Sequence, residues 1–264
     1  MNDLTIAIVQ PELRWEDPPA NRERLEQLIR SVQGSPDLVV IPEMFTTGFS
    51  MRPEPLAETM EGPTLAWMRR LAAELQITLT GSLIVKEGGA FYNRLVWMPP
   101  DGNFGAYDKR HLFRIAGEQE QYSQGKERFI ARLRGWRVNL NICYDLRFPV
   151  WSRQSPDPDR AGPEYDLLVY VANWPQSRSL AWKTLLPARA VENQCYAVGV
   201  NRVGPDGNGI PHSGDSMIVD PFGKILFTAS EGEAVHTRIL EWAPMEDYRH
   251  RYPFWRDADS FRIV

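Results

Sequence analysis

The sequence is poor in cysteine, in histidine and in net positive charge, and each shortage closes off a class of protein. Two cysteines, Cys143 and Cys195, in 264 residues are too few for a disulfide scaffold of the kind that holds small secreted domains together. The four histidines, His111, His212, His236 and His250, are scattered, and no Cys/His group has zinc-ligand spacing. Acidic residues exceed basic ones and leave a formal net charge of −4. No basic field is therefore available to hold nucleic acid or an anionic membrane. No apolar run approaches a membrane span. The start, Met1-Asn2-Asp3-Leu4, carries no basic segment, and the apolar run Leu4 to Val9 is too short for the core of a secretion signal. These absences predict a soluble, cytoplasmic protein that binds no metal.

What is present is ordinary for a globular chain, 43% hydrophobic and 24% charged. A chain of this length buries a substantial core, and we expect one layered α/β domain across residues 1–264. Leu4 to Val9 reads as a first strand, rich in β-branched residues. Leu25, Leu28, Ile29 and Val32 follow helical spacing, and Gly34, Ser35 and Pro36 end that helix. Asp37 to Ile41 is a continuous apolar strand of the kind buried on both faces, and it stops at Pro42 and Glu43. A helix through Met68, Leu71, Ala72 and Leu75 leads to a strand at Ile77 to Val85. Phe91 to Met98 and Asn103 to Tyr107 flank the turn Pro99-Pro100-Asp101-Gly102 as a hairpin.

The second half repeats this order weakly, with strands at Arg137 to Cys143 and Asp166 to Val171 echoing Leu4 to Val9 and Asp37 to Ile41. A helix from about Leu180 to Asn193 contains Pro187, which predicts a kink or break. Ser216 to Asp220 and Lys224 to Thr228 form a further hairpin around Pro221-Phe222-Gly223. Ser155 to Pro163, rich in Pro, Asp and Gly, reads as a surface loop. The stretch from Trp242 reads as a segment that wraps the domain or joins a subunit contact.

Three polar residues stand at or just past predicted strand ends: Glu43, Lys109 and Cys143. Ligands and catalytic groups collect at strand carboxyl ends in α/β sheets. Their chemistry is complementary. A thiol needs help to become a thiolate, a carboxylate can take its proton, and an ammonium can stabilise the anions that form. Taken singly, each has a plainer reading: a solvated strand end, a charged surface patch, a small core residue. The strand before Cys143 tips the balance, because Asn139, Asn141 and Cys143 alternate with Val138, Leu140 and Ile142, and a polar face inside a central strand is unusual.

Ile41-Pro42-Glu43-Met44-Phe45, Tyr107-Asp108-Lys109-Arg110-His111-Leu112-Phe113 and Ile142-Cys143-Tyr144-Asp145-Leu146-Arg147-Phe148-Pro149 together resemble the three signatures of the nitrilase superfamily, in the family order. The resemblance continues through Asn173-Trp174-Pro175, Ala188 to Gln194, Asn201 to Gly204 and Gly214-Asp215-Ser216. Lys109 to Pro149 is most similar to the omega-amidase branch, which acts on 2-oxoglutaramate and related 2-oxo acid amides. The resemblance implies a four-layer αββα sandwich that forms a homodimer, with no metal or organic cofactor.

It also implies a second glutamate between lysine and cysteine, matched by Glu118, with Glu120 as rival. Glu43 is then the base, Cys143 the nucleophile, and Lys109 with the Tyr144 N–H the holder of the oxyanion. Phe49, Phe113, Tyr144 and Trp174 are expected to wall a small pocket, with Asn173 donating a hydrogen bond to substrate. Arg147 is expected in a structural ion pair, Cys195 in the core, and His111 as a brace for the lysine loop. The competing readings are an N-carbamoyl-amide hydrolase or nitrilase of the same superfamily, a papain-like Cys–His enzyme, and a catalytically silent binding homologue.

Overall fold

The structure is a computed structural model that describes every residue except 1, 155, 158–161, 260, 262 and 264. Its described strands are, in chain order, β1 (Leu4–Gln10), β2 (Leu38–Val40), β3 (Thr78–Glu87), β4 (Ala90–Met98), β5 (Gly105–Asp108), β6 (Ile130–Leu133), β7 (Trp136–Ile142), β8 (Pro156–Asp157), β9 (Gly162–Pro163), β10 (Leu167–Val171), β11 (Tyr196–Val200), β12 (Val203–Pro205), β13 (Pro211–Val219), β14 (Ile225–Ser230) and β15 (Ala234–Leu240). One sheet has the order β15-β1-β2-β3-β4-β5. The other runs β12-β13-β11-β10-β7-β6, with β14 added to β13.

Each sheet is built on a parallel triplet, β1-β2-β3 in the first and β7-β10-β11 in the second, flanked by antiparallel strands. The echo between the two halves of the sequence is thus structural. It extends to the strand starts. Asp37 accepts from Thr5 N at 2.9 Å, and Asp166 accepts from Arg137 N at 3.0 Å. In both places an aspartate satisfies the backbone N–H of the second residue of the preceding parallel neighbour.

Three apolar layers define the architecture. Leu4, Ile6, Ile8, Leu38 and Val40 of the first sheet meet Val138, Leu140, Ile142, Val169 and Val198 of the second, forming the interface between sheets. The alternate residues of the first sheet, Ala7, Val9, Val39 and Leu79, pack outward against Leu25 and Ile29 of the Pro18–Arg30 helix and Leu65, Met68 and Leu71 of the Pro63–Leu75 helix. On the second sheet, Leu168, Tyr170 and Ala197 pack outward against Trp182, Leu186 and Ala190 of the Ser179–Asn193 helix. Period-2 alternation in the strands and period-3.6 stripes in the helices thereby give helix, sheet, sheet, helix. Gly199 permits the last contact, because a Cβ there would lie 2.4 Å from Leu186 Cδ1.

Most predicted elements are present, and three details differ. The Ser179–Asn193 helix continues through Pro187 without a break. The missing proline N–H orphans the carbonyl of Lys183, an exposed residue where water can replace it. The strand expected to end at Cys143 ends at Ile142, and Cys143 opens a 3₁₀ turn, Cys143–Arg147. Within Ser155 to Pro163, residues 155 and 158–161 lie outside the described residues, and the flanking β8 and β9 pair with each other. The C-terminal Trp242–Arg251 helix closes the sandwich edge, with Trp242 edge-on to Trp136 at 5.2 Å. No helix among the described residues is long and apolar enough to cross a membrane.

Candidate active site

Lys109 and Cys143 follow directly on β5 and β7, Glu43 stands three residues beyond β2, and Asn173 stands two residues beyond β10. The two sheets bring these ends to one edge of the sandwich. Glu43 lies in a turn held against β3, with Ile41 N donating to Thr80 O and Phe45 N to Ser82 O. Gly81 makes room for that turn, since a Cβ there would sit 2.4 Å from Ile41 Cγ1. Met44 has φ +41° and Cys143 φ +43°, so each non-glycine chain passes through the left-handed region at the site. Such strain persists only where surrounding contacts impose it.

Asp145 supplies many of those contacts for the cysteine turn. It accepts from Ile142 N at 3.0 Å, Tyr107 OH at 2.7 Å, and the backbone N and Nδ1 of His111 at 3.0 and 2.7 Å. One buried carboxylate thus ties the cysteine turn to both flanks of Lys109, and His111 braces the lysine loop as the sequence led us to expect.

At the centre Lys109 Nζ lies 2.8 Å from Glu43 Oε1 and 3.0 and 2.9 Å from the two oxygens of Glu118, all three side chains fully buried. Glu120 is exposed, so the geometry selects Glu118 as the glutamate that reaches the lysine. Glu118 also accepts from Phe113 N. Glu43 Oε1 takes a second donor, Asn93 Nδ2 at 2.8 Å, and its Oε2 takes Asn173 N at 2.8 Å.

Cys143 is half-buried on the floor of a cavity of about 380 Å³. Phe49, Phe113, Tyr144, Asn173 and Trp174, all expected at a pocket from the sequence, line it. A larger cavity of about 490 Å³, around Glu12, Arg24 and Glu233, lies apart from this cluster and holds no nucleophile.

A carbon–nitrogen hydrolase family model matches residues 5–248. The omega-amidase YafV of Escherichia coli is 43% identical over 267 aligned residues, covering all of both chains. A 2-oxoglutaramate amidase of Bacillus subtilis is 29% identical over 96% of each chain. Among solved structures, a CN-hydrolase superfamily protein from Xanthomonas campestris, with an arsenic adduct in its active site, superposes with a TM-score of 0.98 at 45% identity over the whole of both chains. The chain belongs to the carbon–nitrogen hydrolase family.

The electrostatics of this family site follow from burial. Two carboxylates and one ammonium sum to −1. Burial alone would lower the Lys109 pKa, but the charges of Glu118 and Glu43 outweigh it and hold the ammonium well above its usual range. Burial raises the Glu118 carboxyl, opposed by Lys109 and assisted by Glu43. The Cys143 thiol is pushed well up, first by burial and then by Glu43, against the pull of Lys109. The resting cysteine is therefore a thiol, and it needs a base at the moment of attack.

One expectation from the sequence is corrected. Arg147 forms no carboxylate pair among the described residues; it lies over Trp174, 5.1 Å from the ring centroid, on the cavity wall. Asn173 gives one hydrogen of its amide N–H₂ to Glu43 O and lines the cavity. The polar face of β7 also has a different meaning. Asn139 and Asn141 point to the helix side of their sheet and do not line the cavity; the turn at Cys143 breaks the alternation. Two residues escaped sequence reasoning. Asn93 contacts both glutamates. Arg178 lines the cavity over the Phe113 ring at 4.8 Å.

Proposed function

We propose that the protein is an omega-amidase. It hydrolyses the terminal amide of a small 2-oxo acid, such as 2-oxoglutaramate or 2-oxosuccinamate, to the dicarboxylate and ammonia through a thioester on Cys143. The observation that carries the substrate class is the cationic wall of the cavity. Arg147 and Arg178 both line it, and neither has a carboxylate partner among the described residues. Burial and the nearby Arg147 charge both depress the Arg178 pKa. Two uncompensated guanidiniums beside a nucleophile favour a ligand that brings an anion. A 2-oxo acid amide has its carboxylate at the end opposite the amide, so the arginines hold one end while Cys143 meets the other. The names of the E. coli and B. subtilis relatives agree with this chemistry.

In this reading Glu43 takes the thiol proton as sulfur bonds to the amide carbon. Its Oε2 has one protein donor, whereas every Glu118 oxygen takes at least one bond from Lys109. Glu43 is therefore the carboxylate with capacity for the thiol. Lys109 and the Tyr144 N–H, at the start of the 3₁₀ turn where no intrahelical acceptor exists, hold the oxyanion. Glu43 passes its proton to the nitrogen, and ammonia leaves. Water then attacks the thioester, gives a proton to Glu43, and releases the carboxylate and the thiol. Glu118 holds Lys109 in place throughout.

The two unpaired cysteines suit a reducing compartment, and we place the enzyme in the cytoplasm as a homodimer, to be checked by fractionation and light scattering. Ammonia release from a panel of 2-oxo acid amides, simple amides, nitriles and N-carbamoyl compounds tests the substrate class. We expect turnover of the 2-oxo amides and none with Cys143→Ala. Turnover of N-carbamoyl compounds or nitriles with the 2-oxo amides untouched would move the protein to another branch. No Cys143 adduct with any substrate would make it a silent homologue.

A further inference from the structure

We infer that Asn93, oriented by Ser82, is a positioning residue that keeps Glu43 in its proton-accepting form. The inference rests on Glu43 being the base. It starts from a chain of hydrogen bonds fixed at its two ends, by a backbone N–H that can only donate and a carboxylate that only accepts. Met44 N donates to Ser82 Oγ at 2.9 Å, and a backbone N–H can only donate. The Ser82 hydroxyl donates in turn to Asn93 Oδ1 at 2.7 Å. The Asn93 amide is thereby fixed with its nitrogen toward the carboxylates, donating to Glu43 Oε1 at 2.8 Å and reaching Glu118 Oε1 at 3.4 Å. The backbone carbonyl of Asn93 accepts from Lys109 N at 3.0 Å, so the same residue also anchors the lysine backbone. Ser82 and Asn93 lie diagonally across β3 and β4, with Ser82 opposite Leu95 and Asn93 opposite Ile84, and both are fully buried.

The need for such a residue follows from the charge count. Two buried carboxylates share one ammonium, so one negative charge is left without a cation. A neutral N–H₂ group supplies donors to both anions without adding a second positive charge, which would also stabilise a resting thiolate. The groups facing Glu43 are Lys109 beyond β5, Glu118 beyond the Phe113 loop, Cys143 beyond β7, Asn93 of β4 and Asn173 beyond β10. The Tyr122 phenol also senses Glu43 and Glu118 but is held neutral, first by burial. Of these only Asn93 has its orientation set by a hydrogen-bond chain that starts on the Glu43 turn itself, at Met44.

The test compares Ser82→Ala, Ser82→Thr and Asn93→Ala with the wild-type enzyme and with Glu43→Gln, on a 2-oxo acid amide across pH 5–9. The Ser82 hydroxyl does not touch Glu43, so Ser82→Ala acts on it through two lost bonds, the one that orients the Asn93 amide and the one that accepts from Met44 N. A bond from a neutral donor to a carboxylate is worth tens of fold in rate. We expect kcat to fall about 10-fold in Ser82→Ala and about 100-fold in Asn93→Ala, on the same scale. KM should stay within about 3-fold, and the acid limb of kcat/KM should move to higher pH, because the anion has lost a donor. Ser82→Thr keeps the hydroxyl and should restore the profile. A Ser82→Ala acid limb that superposes on wild type, with only the melting temperature lowered, would reduce the chain to a structural role and overturn the inference. Equal impairment of Ser82→Thr and Ser82→Ala would do the same. Activity retained in Glu43→Gln would instead overturn the reading of Glu43, and the role of Asn93 with it.

Discussion

Glu43→Gln separates chemistry from stability more cleanly than any other change at this site. The buried cluster of Glu43, Lys109 and Glu118 carries a net −1 and goes to zero in the variant, so no charge is stranded in the core. The glutamine oxygen can serve either Lys109 and Asn93 or the backbone N of Asn173, but not both sets. Orphaning one buried donor costs about 1–3 kcal/mol, and urea melts should show a loss of that order.

The catalytic loss is larger. Because the Cys143 thiol is pushed well up, its proton does not leave unaided at neutral pH. Removal of a general base costs about 10²–10⁴-fold, or about 3–5 kcal/mol of barrier at 1.36 kcal/mol per decade. Ammonia release from 2-oxoglutaramate at pH 7.5 should fall by that factor while the variant remains folded. Retention of activity within 10-fold of wild type would refute the argument, and loss of activity in a His111→Ala or His212→Ala variant instead would point to a Cys–His enzyme.

Lys109→Met strands two buried carboxylates and should destabilise the protein by about 3–5 kcal/mol, far more than Glu43→Gln, with partial recovery at acid pH as a carboxylate protonates; equal melting midpoints for the two variants would contradict the charge count. Arg147→Ala and Arg178→Ala should each raise KM for a 2-oxo acid amide about 10–100-fold, the worth of a charged hydrogen bond, while a neutral amide loses little; equal losses on both substrates would argue against carboxylate binding. His212 is held neutral by burial and by the Arg202 charge, its pKa lowered from 6.5 to about 4. A depressed pKa gives stability that is complete above the unfolded value and lost as pH falls through the folded one. The window is thus pH 6.5 to 4, with a loss of about 3 kcal/mol by pH 4, and urea melts of wild type against His212→Gln across it should show the difference disappear in the variant.

Residues announced by local pattern were legible before the fold was known. Glu43 ends an apolar run, Cys143 follows a strand, and Lys109 sits past a hairpin; the fold needed only to bring strand ends together. Residues whose meaning lies in distant partners were not. Asn93 belongs to Phe91 to Met98, which the sequence shows only as one strand of a hairpin. Its partners are 11, 25 and 50 positions away on other elements, and no window of sequence contains them. Arg147 failed in the opposite direction. An arginine near a run of acidic and aromatic residues suggests an ion pair, but Asp145, the nearest carboxylate in sequence, is already saturated by Ile142, Tyr107 and His111. That saturation pushes the guanidinium onto Trp174 and leaves it free for a ligand. The same local logic explains the false signal at Asn139 and Asn141. Alternation correctly separated the two faces of β7, but whether a polar face meets a cavity or a helix depends on which sheet lies opposite, and that is decided by the long-range pairing of two halves of the chain. Sequence therefore locates the residues proposed to react, and the packed structure locates the residues that hold them in place.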